Sequence, residues 1–257
     1  MENSSVDWRD LEAGDAHYKA FVGPPRKYDL LGALQFNLLT AAGLRSDHRL
    51  CDIGCGSLRA GKLLIPYLEK DGYYGIDPEK WLVDEAVEEE LGRDLIRIKQ
   101  PRFHYSSHFD LRAFGQSFDF LIAQSIFSHA APRQIENCFR EAAAVLRSDG
   151  YFLATFMPGS EDYEGQQWQY PGCVTYRRET IQAMAARAGL SAFPTDWPHP
   201  NGQEWYLLVP GRKGRDAPSI CRFSLGAYRP EAPPSSPKPG LPARLAYHLR
   251  RLLGKRG

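Results

Sequence analysis

The stretch LCDIGCGSLRAG, residues 50–61, gathers the residue types best suited to chemistry. An acid, Asp52, stands two positions before Gly54, and Gly56 follows after one more residue. Glycine lets a backbone turn sharply and approach a ligand with no Cβ in the way. A second carboxylate, Asp77, ends the run YYGID roughly twenty residues beyond Gly56. At the tip of a strand beside a glycine turn, a carboxylate can accept both hydroxyls of a ribose. The chemistry to expect is therefore recognition of a nucleoside-bearing ligand. The dinucleotide fingerprint Gly-x-Gly-x-x-Gly is not met, because Arg59 stands where its third glycine belongs. Further along, Gln124-Ser125-Ile126-Phe127-Ser128-His129 follows the apolar run FDFLIAQ. His129 has a side chain whose basicity suits proton removal near neutrality. Its place just before Pro132 equally suits a hydrogen bond at a helix start.

These residues need strands and helices to position them. HRLCDIG (48–54), YYGID (73–77), FDFLIAQ (118–124) and YFLATF (151–156) read as buried strands, with a weaker one near 102–106. Between them lie helical patterns over 59–70, where Pro66 predicts a kink or an early end, and over 79–91, stopped by Gly92. Residues 132–146 carry Ile135, Cys138, Phe139, Ala142 and Leu146 on one stripe, and Asp149-Gly150 predicts a turn before the next strand. A helix over 179–189 ends at Gly189, and segments near 191–197 and 203–209 flank the hairpin-like PHPNG. Ahead of all these, YDLLGALQFNLLTAAG predicts a helix with Leu30, Leu34 and Leu38 on one face and Gly43 as its stop. Strands alternating with helices mean an α/β fold, a parallel sheet covered on both faces, with an antiparallel last strand from the final hairpin.

The acid-x-Gly-x-Gly segment resembles motif I of the class I methyltransferases that use S-adenosylmethionine (SAM), with Asp52 as its acid and Gly54 and Gly56 as its first glycines. Leu58 stands where a third glycine is often found. The ordered set continues with Asp77, then FDFLIAQSIFSH and VLRSDGYFLATF, so the likeness spans residues 28–209. It implies a seven-stranded, mostly parallel Rossmann-like sheet and SAM as cofactor. It also implies that Asp52, Gly54, Cys55, Gly56, Asp77, Pro78, Asp110 and Gln124 bind that cofactor. Trp81 suits either the adenine or the core, and Asp110 either the adenine amine or a plain loop. On the acceptor side the resemblance points to Ser128, to His129 as general base, and to Trp168 and Tyr170 in the long loop after the fifth strand. His17 and Tyr18, with Phe21, are candidates for a flap over the site or for ordinary packing of a first helix.

The implied reaction is methyl transfer to a hydroxyl or amine of a small-molecule or sugar acceptor. A protein or RNA methyltransferase, or a non-catalytic SAM-binding protein, are the other readings. Lys and Arg number 32 against 31 Asp and Glu, so no overall field draws in nucleic acid, and none is expected as partner. No Asn/Asp-Pro-Pro-Tyr follows the fourth strand, no Pro-Cys pair sits there, and no acidic set marks a magnesium site, so no metal is expected. Five cysteines without zinc-site spacing, a polar acidic start and no long apolar run predict a soluble cytoplasmic protein. The chain divides into a cap segment (1–27), the methyltransferase domain (28–210), a Pro-rich linker (211–242) and a basic tail (243–257). The tail, with Arg244, Arg250, Arg251, Lys255 and Arg256, reads as solvated or as a weak contact with an anionic membrane surface. Nothing in the sequence sets the oligomeric state.

Overall fold

Apolar runs with no polar alternation can be buried on both faces only inside a sheet flanked by helices. In this structure, a computed structural model that describes residues 7–211, seven strands do so. They are β1 (Leu50–Ile53), β2 (Tyr73–Ile76), β3 (Arg102–His104), β4 (Phe118–Ala123), β5 (Leu146–Phe156), β6 (Leu190–Pro194) and β7 (Glu204–Pro210). Their order across the sheet is β3-β2-β1-β4-β5-β7-β6. β1 pairs in parallel with β2 (Leu50 opposite Tyr73) and with β4 (Leu50 opposite Phe120). β7 runs antiparallel to both β5 and β6, which meets the expectation of a reversed last strand. The Pro-rich linker, the basic tail and Cys221 lie outside the described residues.

The helices are α1 (Tyr18–Phe21), α2 (Tyr28–Ala41), α3 (Gly61–Tyr67), α4 (Lys80–Ala86), α5 (Arg93–Lys99), α6 (Pro132–Val145) and α7 (Arg178–Arg187). Alternation along each strand decides which layer each side chain joins. Cys51, Ile53, Leu121 and Phe152 pack with α6 and α7 on one face. Leu50, Ile122, Leu153 and Leu207 pack with α2, α3 and α4 on the other. Pro66 sits in the last turn of α3, which ends at Tyr67, three residues short of the expected stop. α4 passes into a π-turn over Val87–Leu91, and the short α5 after Gly92 has no counterpart in the sequence reading.

Two expectations are corrected. The turn at Asp149-Gly150 lies inside β5, where the register to β4 shifts between Phe118 and Phe120 and the strand starts at Leu146. Gly150 makes this possible, since a Cβ there would lie 2.9 Å from the carbonyl oxygen of Asp119. In α2 the buried stripe is Tyr28, Leu31, Gln35, Leu38 and Leu39, while Leu30 is 51% exposed. Of the expected row only Leu38 is buried, and a polar residue, Gln35, occupies the middle of the buried face. Leu31→Ala is expected to cost about 2–5 kcal/mol in urea unfolding. Leu30→Ala is expected to shift stability by no more than about 0.5 kcal/mol. Equal losses would restore the original face.

Candidate functional site

β1 carries Asp52 to the edge of the sheet on the same face as Leu50, toward α2 and α3. The side chain is buried and accepts a hydrogen bond from Tyr73 Oη at 2.9 Å. Burial pushes its carboxyl up to about 6, against the Tyr73 bond and the charge of Arg59, with Asp77 adding to the rise. The chain then bends through three left-handed residues, Gly54 (φ +73°), Gly56 (φ +50°) and Leu58 (φ +55°). Leu58 thus keeps the backbone state of the absent third glycine. A side chain in that state costs about 1–2 kcal/mol, and complete burial of Leu58 offsets it.

The bend is strapped to the neighbouring strand. Gly54 N and Cys55 N donate to the carbonyl of Ile76 at 2.7 and 3.2 Å. Gly56 N donates to Asp77 Oδ2 and Glu79 N to Asp77 Oδ1, both at 2.9 Å. Burial lifts the Asp77 carboxyl to about 6, and those two amides oppose the rise. Cys55 Sγ fits over Gly75, where a Cβ would come within 2.8 Å of it. Pro78 is exposed beside this strap. Asp110 comes to the same edge of the sheet, because His104 pairs with Ile76 and lies 3.8 Å (Nε2) from Asp110 Oδ2. Ser106 Oγ donates to that same oxygen at 2.6 Å.

Inside the bend is a cavity of about 20 Å³, lined by Val22, Gln35, Asp52, Gly56, Arg59 and Gln124 among others. A space that size holds about one water. Arg59 is buried at its wall, with Nη1 donating to the Val22 carbonyl at 3.1 Å and Nη2 to Gln124 Oε1. Gln35 Nε2 reaches the same oxygen. Gln124 turns its amide nitrogen toward Ser125 Oγ and, at 2.8 Å, His199 Nε2. Burial pushes His199 down to about 4, helped by the charges of Arg59 and Lys27. Gln203 Nε2 donates to Ser125 Oγ at 2.9 Å. The loop between β6 and β7 therefore closes one side of the site. Arg59 Nε, Ser128 Oγ and Gln203 Oε1 are buried with no hydrogen-bond partner.

The cap segment covers the bend. A Cβ on Gly56 would lie 2.8 Å from Val22 Cγ1, and one on Gly54 would lie 2.0 Å from Ile126 Cδ1. His17 sits at the start of α1, its Nδ1 accepting from Lys19 N at 3.2 Å and its ring stacked on Trp8 and Tyr18. Tyr18 Oη donates to Glu90 Oε1 at 2.9 Å, and Lys19 and Lys62 pair with the same carboxylate. His17 and Tyr18 thus tether the cap and do not line the cavity.

The long loop after β5 is laced to the loop after β4. Val174 N donates to the Ser128 carbonyl at 2.7 Å and Gln169 N to that of His129 at 2.8 Å. His129 Nδ1 is 3.0 Å from the carbonyl of Gln169 and 2.6 Å from that of Gly172. Carbonyls only accept, so Nδ1 carries the proton and Nε2 the lone pair in the neutral ring. Burial holds the His129 pKa below its ordinary value, against these two carbonyls. Its ring meets Tyr170 edge-on at 5.0 Å and Trp168 at 5.6 Å. Tyr170 Oη bonds the carbonyl of Phe21, tying this loop to the cap. Gln35, Arg59, His199 and Gln203 are the site residues that sequence reasoning missed. An amide in the buried row of α2 and an arginine within the glycine bend were the available signals.

The description "methyltransferase domain" belongs to the family model that matches residues 51–152. An uncharacterized methyltransferase of Bacillus subtilis, YcgJ, is 28% identical over 127 residues, covering 49% of this chain and 47% of that protein. The chain thus matches about half the length of this curated relative. Among solved structures, magnesium protoporphyrin IX methyltransferase (ChlM) of Synechocystis, with bound S-adenosylhomocysteine (SAH), superposes with a TM-score of 0.54 at 19% identity. The match covers 72% of this chain and 87% of that one. CcbJ methyltransferase of Streptomyces caelestis gives 0.54 at 14% identity, over 74% and 97% of the two chains. Residues 51–152 thus match a methyltransferase-domain model, and the sheet around them has the fold of these solved structures.

Proposed function

We propose that the chain is a SAM-dependent methyltransferase acting on a hydroxyl or amine of a small-molecule or sugar acceptor. The observation that carries this reading is the glycine bend strapped to Asp77 at the carboxyl edge of a parallel sheet, inside the matched segment. The donor set suits an adenosyl cofactor. Two Cβ-less positions face the bend, an acid stands at the tip of β1 and another at that of β2, and Arg59 Nε lacks an acceptor. Entry requires Val22 and Ile126 to swing off Gly56 and Gly54, since the present cavity is water-sized. SAM supplies a methyl group on a positively charged sulfur, so the leaving group is already good. The remaining tasks fall to the protein. Asp77 offers its free lone pairs to ribose hydroxyls, and the bend holds the amino-acid end. The loops after β4 and β5 hold the acceptor in line. His129 Nε2, whose lone pair is set by the carbonyls on Nδ1, receives a proton from the acceptor.

Near-balanced charge supports a small acceptor over RNA. Among the described residues, no helix is long and apolar enough to cross a membrane, and no group of three or more His, Cys, Asp or Glu is placed to hold a metal.

Titration calorimetry is expected to give saturable heat with SAM and with SAH. Asp77→Ala should weaken SAM binding at least about tenfold, from the loss of hydrogen bonds to a charged group. Undiminished affinity would put the ribose elsewhere, and absence of heat on folded wild-type protein would remove the cofactor altogether. His129→Ala should keep SAM affinity while slowing SAH release with an accepted substrate, and normal turnover would leave His129 only its tie to the 169–172 carbonyls.

A stability prediction follows from the buried carboxylates. Asp52 titrates near 6 in the folded chain against 3.8 ordinarily. A raised folded-state value means its contribution to stability is complete below about pH 4 and is lost as pH rises through 6. Asp52→Asn keeps an acceptor for Tyr73 but cannot ionise. The variant should therefore gain on wild type between about pH 4 and 7, reaching about 2–3 kcal/mol. A difference that stays flat across that range in urea titrations would mean Asp52 ionises as an exposed acid does.

A further inference from the structure

Among the described residues, Arg59 carries a charged group that is buried with one nitrogen left without a partner. Its side chain stands in the wall of the cavity, and the whole residue is 8% exposed. The groups it touches, the Val22 carbonyl and the Gln124 amide, are neutral. Nε, the third edge of the fork, has no acceptor. The guanidinium's hydrogen-bond partners are thus all neutral, and Asp52 acts on it through charge alone, so part of its desolvation cost stays uncompensated. Its position is enforced from behind. α2 passes so close that a Cβ on Gly32 would lie 2.4 Å from the carbonyl oxygen of Arg59. The absence of a Cβ at Gly32 therefore lets the backbone of residue 59 sit against α2.

Asp52 lines the same cavity, so one acid and one guanidinium share a single small volume. An acid and a guanidinium lining one cavity offer opposite charges to the ammonium and carboxylate of an α-amino acid, and a planar guanidinium binds a carboxylate with two parallel bonds. We propose that Arg59 is the carboxylate-binding residue for the amino-acid end of the cofactor, with the Val22 carbonyl and Gln124 Oε1 holding its place in the closed site. This rests on the SAM reading above. A guanidinium near a cationic sulfur is repulsive unless an anion lies between them, and the cofactor's own carboxylate is that anion. Binding then draws Arg59 off the Val22 carbonyl. The tie between the bend and the cap is broken by the ligand that needs the cap to move.

The test compares two ligands that differ only in the carboxylate: SAH and its decarboxylated analogue, which keeps the adenosine, the thioether and the amine. Calorimetry on the full wild-type chain should show SAH favoured at least about tenfold. Arg59→Met should reduce that preference to within about threefold while leaving affinity for the analogue near its wild-type value. Arg59→Lys, a point charge without the fork, should fall between them. A wild-type preference under about threefold overturns the assignment even if the variants fail to fold. So does an Arg59→Met protein that retains the preference, or one that loses both ligands equally while its circular dichroism stays native. Wild-type protein that binds neither ligand would instead sink the cofactor reading itself.

Discussion

One carboxylate shared between two backbone amides holds the site together. Asp77 takes the N–H of Gly56 on one oxygen and the N–H of Glu79 on the other, so the tip of β2 fixes both the turn after β1 and the approach to α4. Of the three left-handed residues in these five positions only Leu58 carries a Cβ, so the strain of the bend is concentrated there while Asp77 sets its place on β2. The cost extends to ionisation. The same burial that aligns Asp77 with the bend lifts its carboxyl, as it lifts that of Asp52. The site therefore gathers two acids raised by burial and one guanidinium with an unpartnered nitrogen. Such local discord is what a binding site retains when its partner supplies the missing charges.

Much of this was legible in the sequence. Each of the four apolar runs formed a strand, and the parallel sheet with a reversed last strand matches the β-α alternation and the final hairpin. The helix stop at Pro66 and the helix start at Pro132 were set by backbone chemistry that needs no tertiary context. The parts that failed have a common cause. Gln35 and Arg59 are polar residues in buried rows, and a pattern built on apolar spacing passes over them. Leu30 was placed on one face with Leu34 and Leu38, and it is exposed. Arg59 was read only as the reason a dinucleotide loop is absent, though its chemistry in a dry bend was the more informative fact.

Contacts made across many residues stay silent in a linear reading. His199 meets Gln124 and Gln203 meets Ser125 because β7 starts where β5 ends, with Glu204 opposite Phe156. The Pro-His-Pro-Asn-Gly stretch advertised a turn, and nothing local in it announced that the turn would be delivered to the tip of β4. Equally, His129 stands in a loop whose pairing with residues 169–174 depends on a long excursion after β5.

That reversal of β7 separates two kinds of evolutionary freedom. A hairpin tip can lengthen or change composition without shifting the strands beneath it, because its only covalent obligation is to bring two antiparallel neighbours back together. Here the tip leans on Gln124 and is held by Lys27, whose Nζ donates to the Pro200 carbonyl and to Asn201 Oδ1. Drift in residues 195–203 can therefore recast what the pocket admits while the bend, its anchor and the sheet go on unaltered. The molecule keeps its conserved machinery and its adjustable selectivity on different pieces of chain.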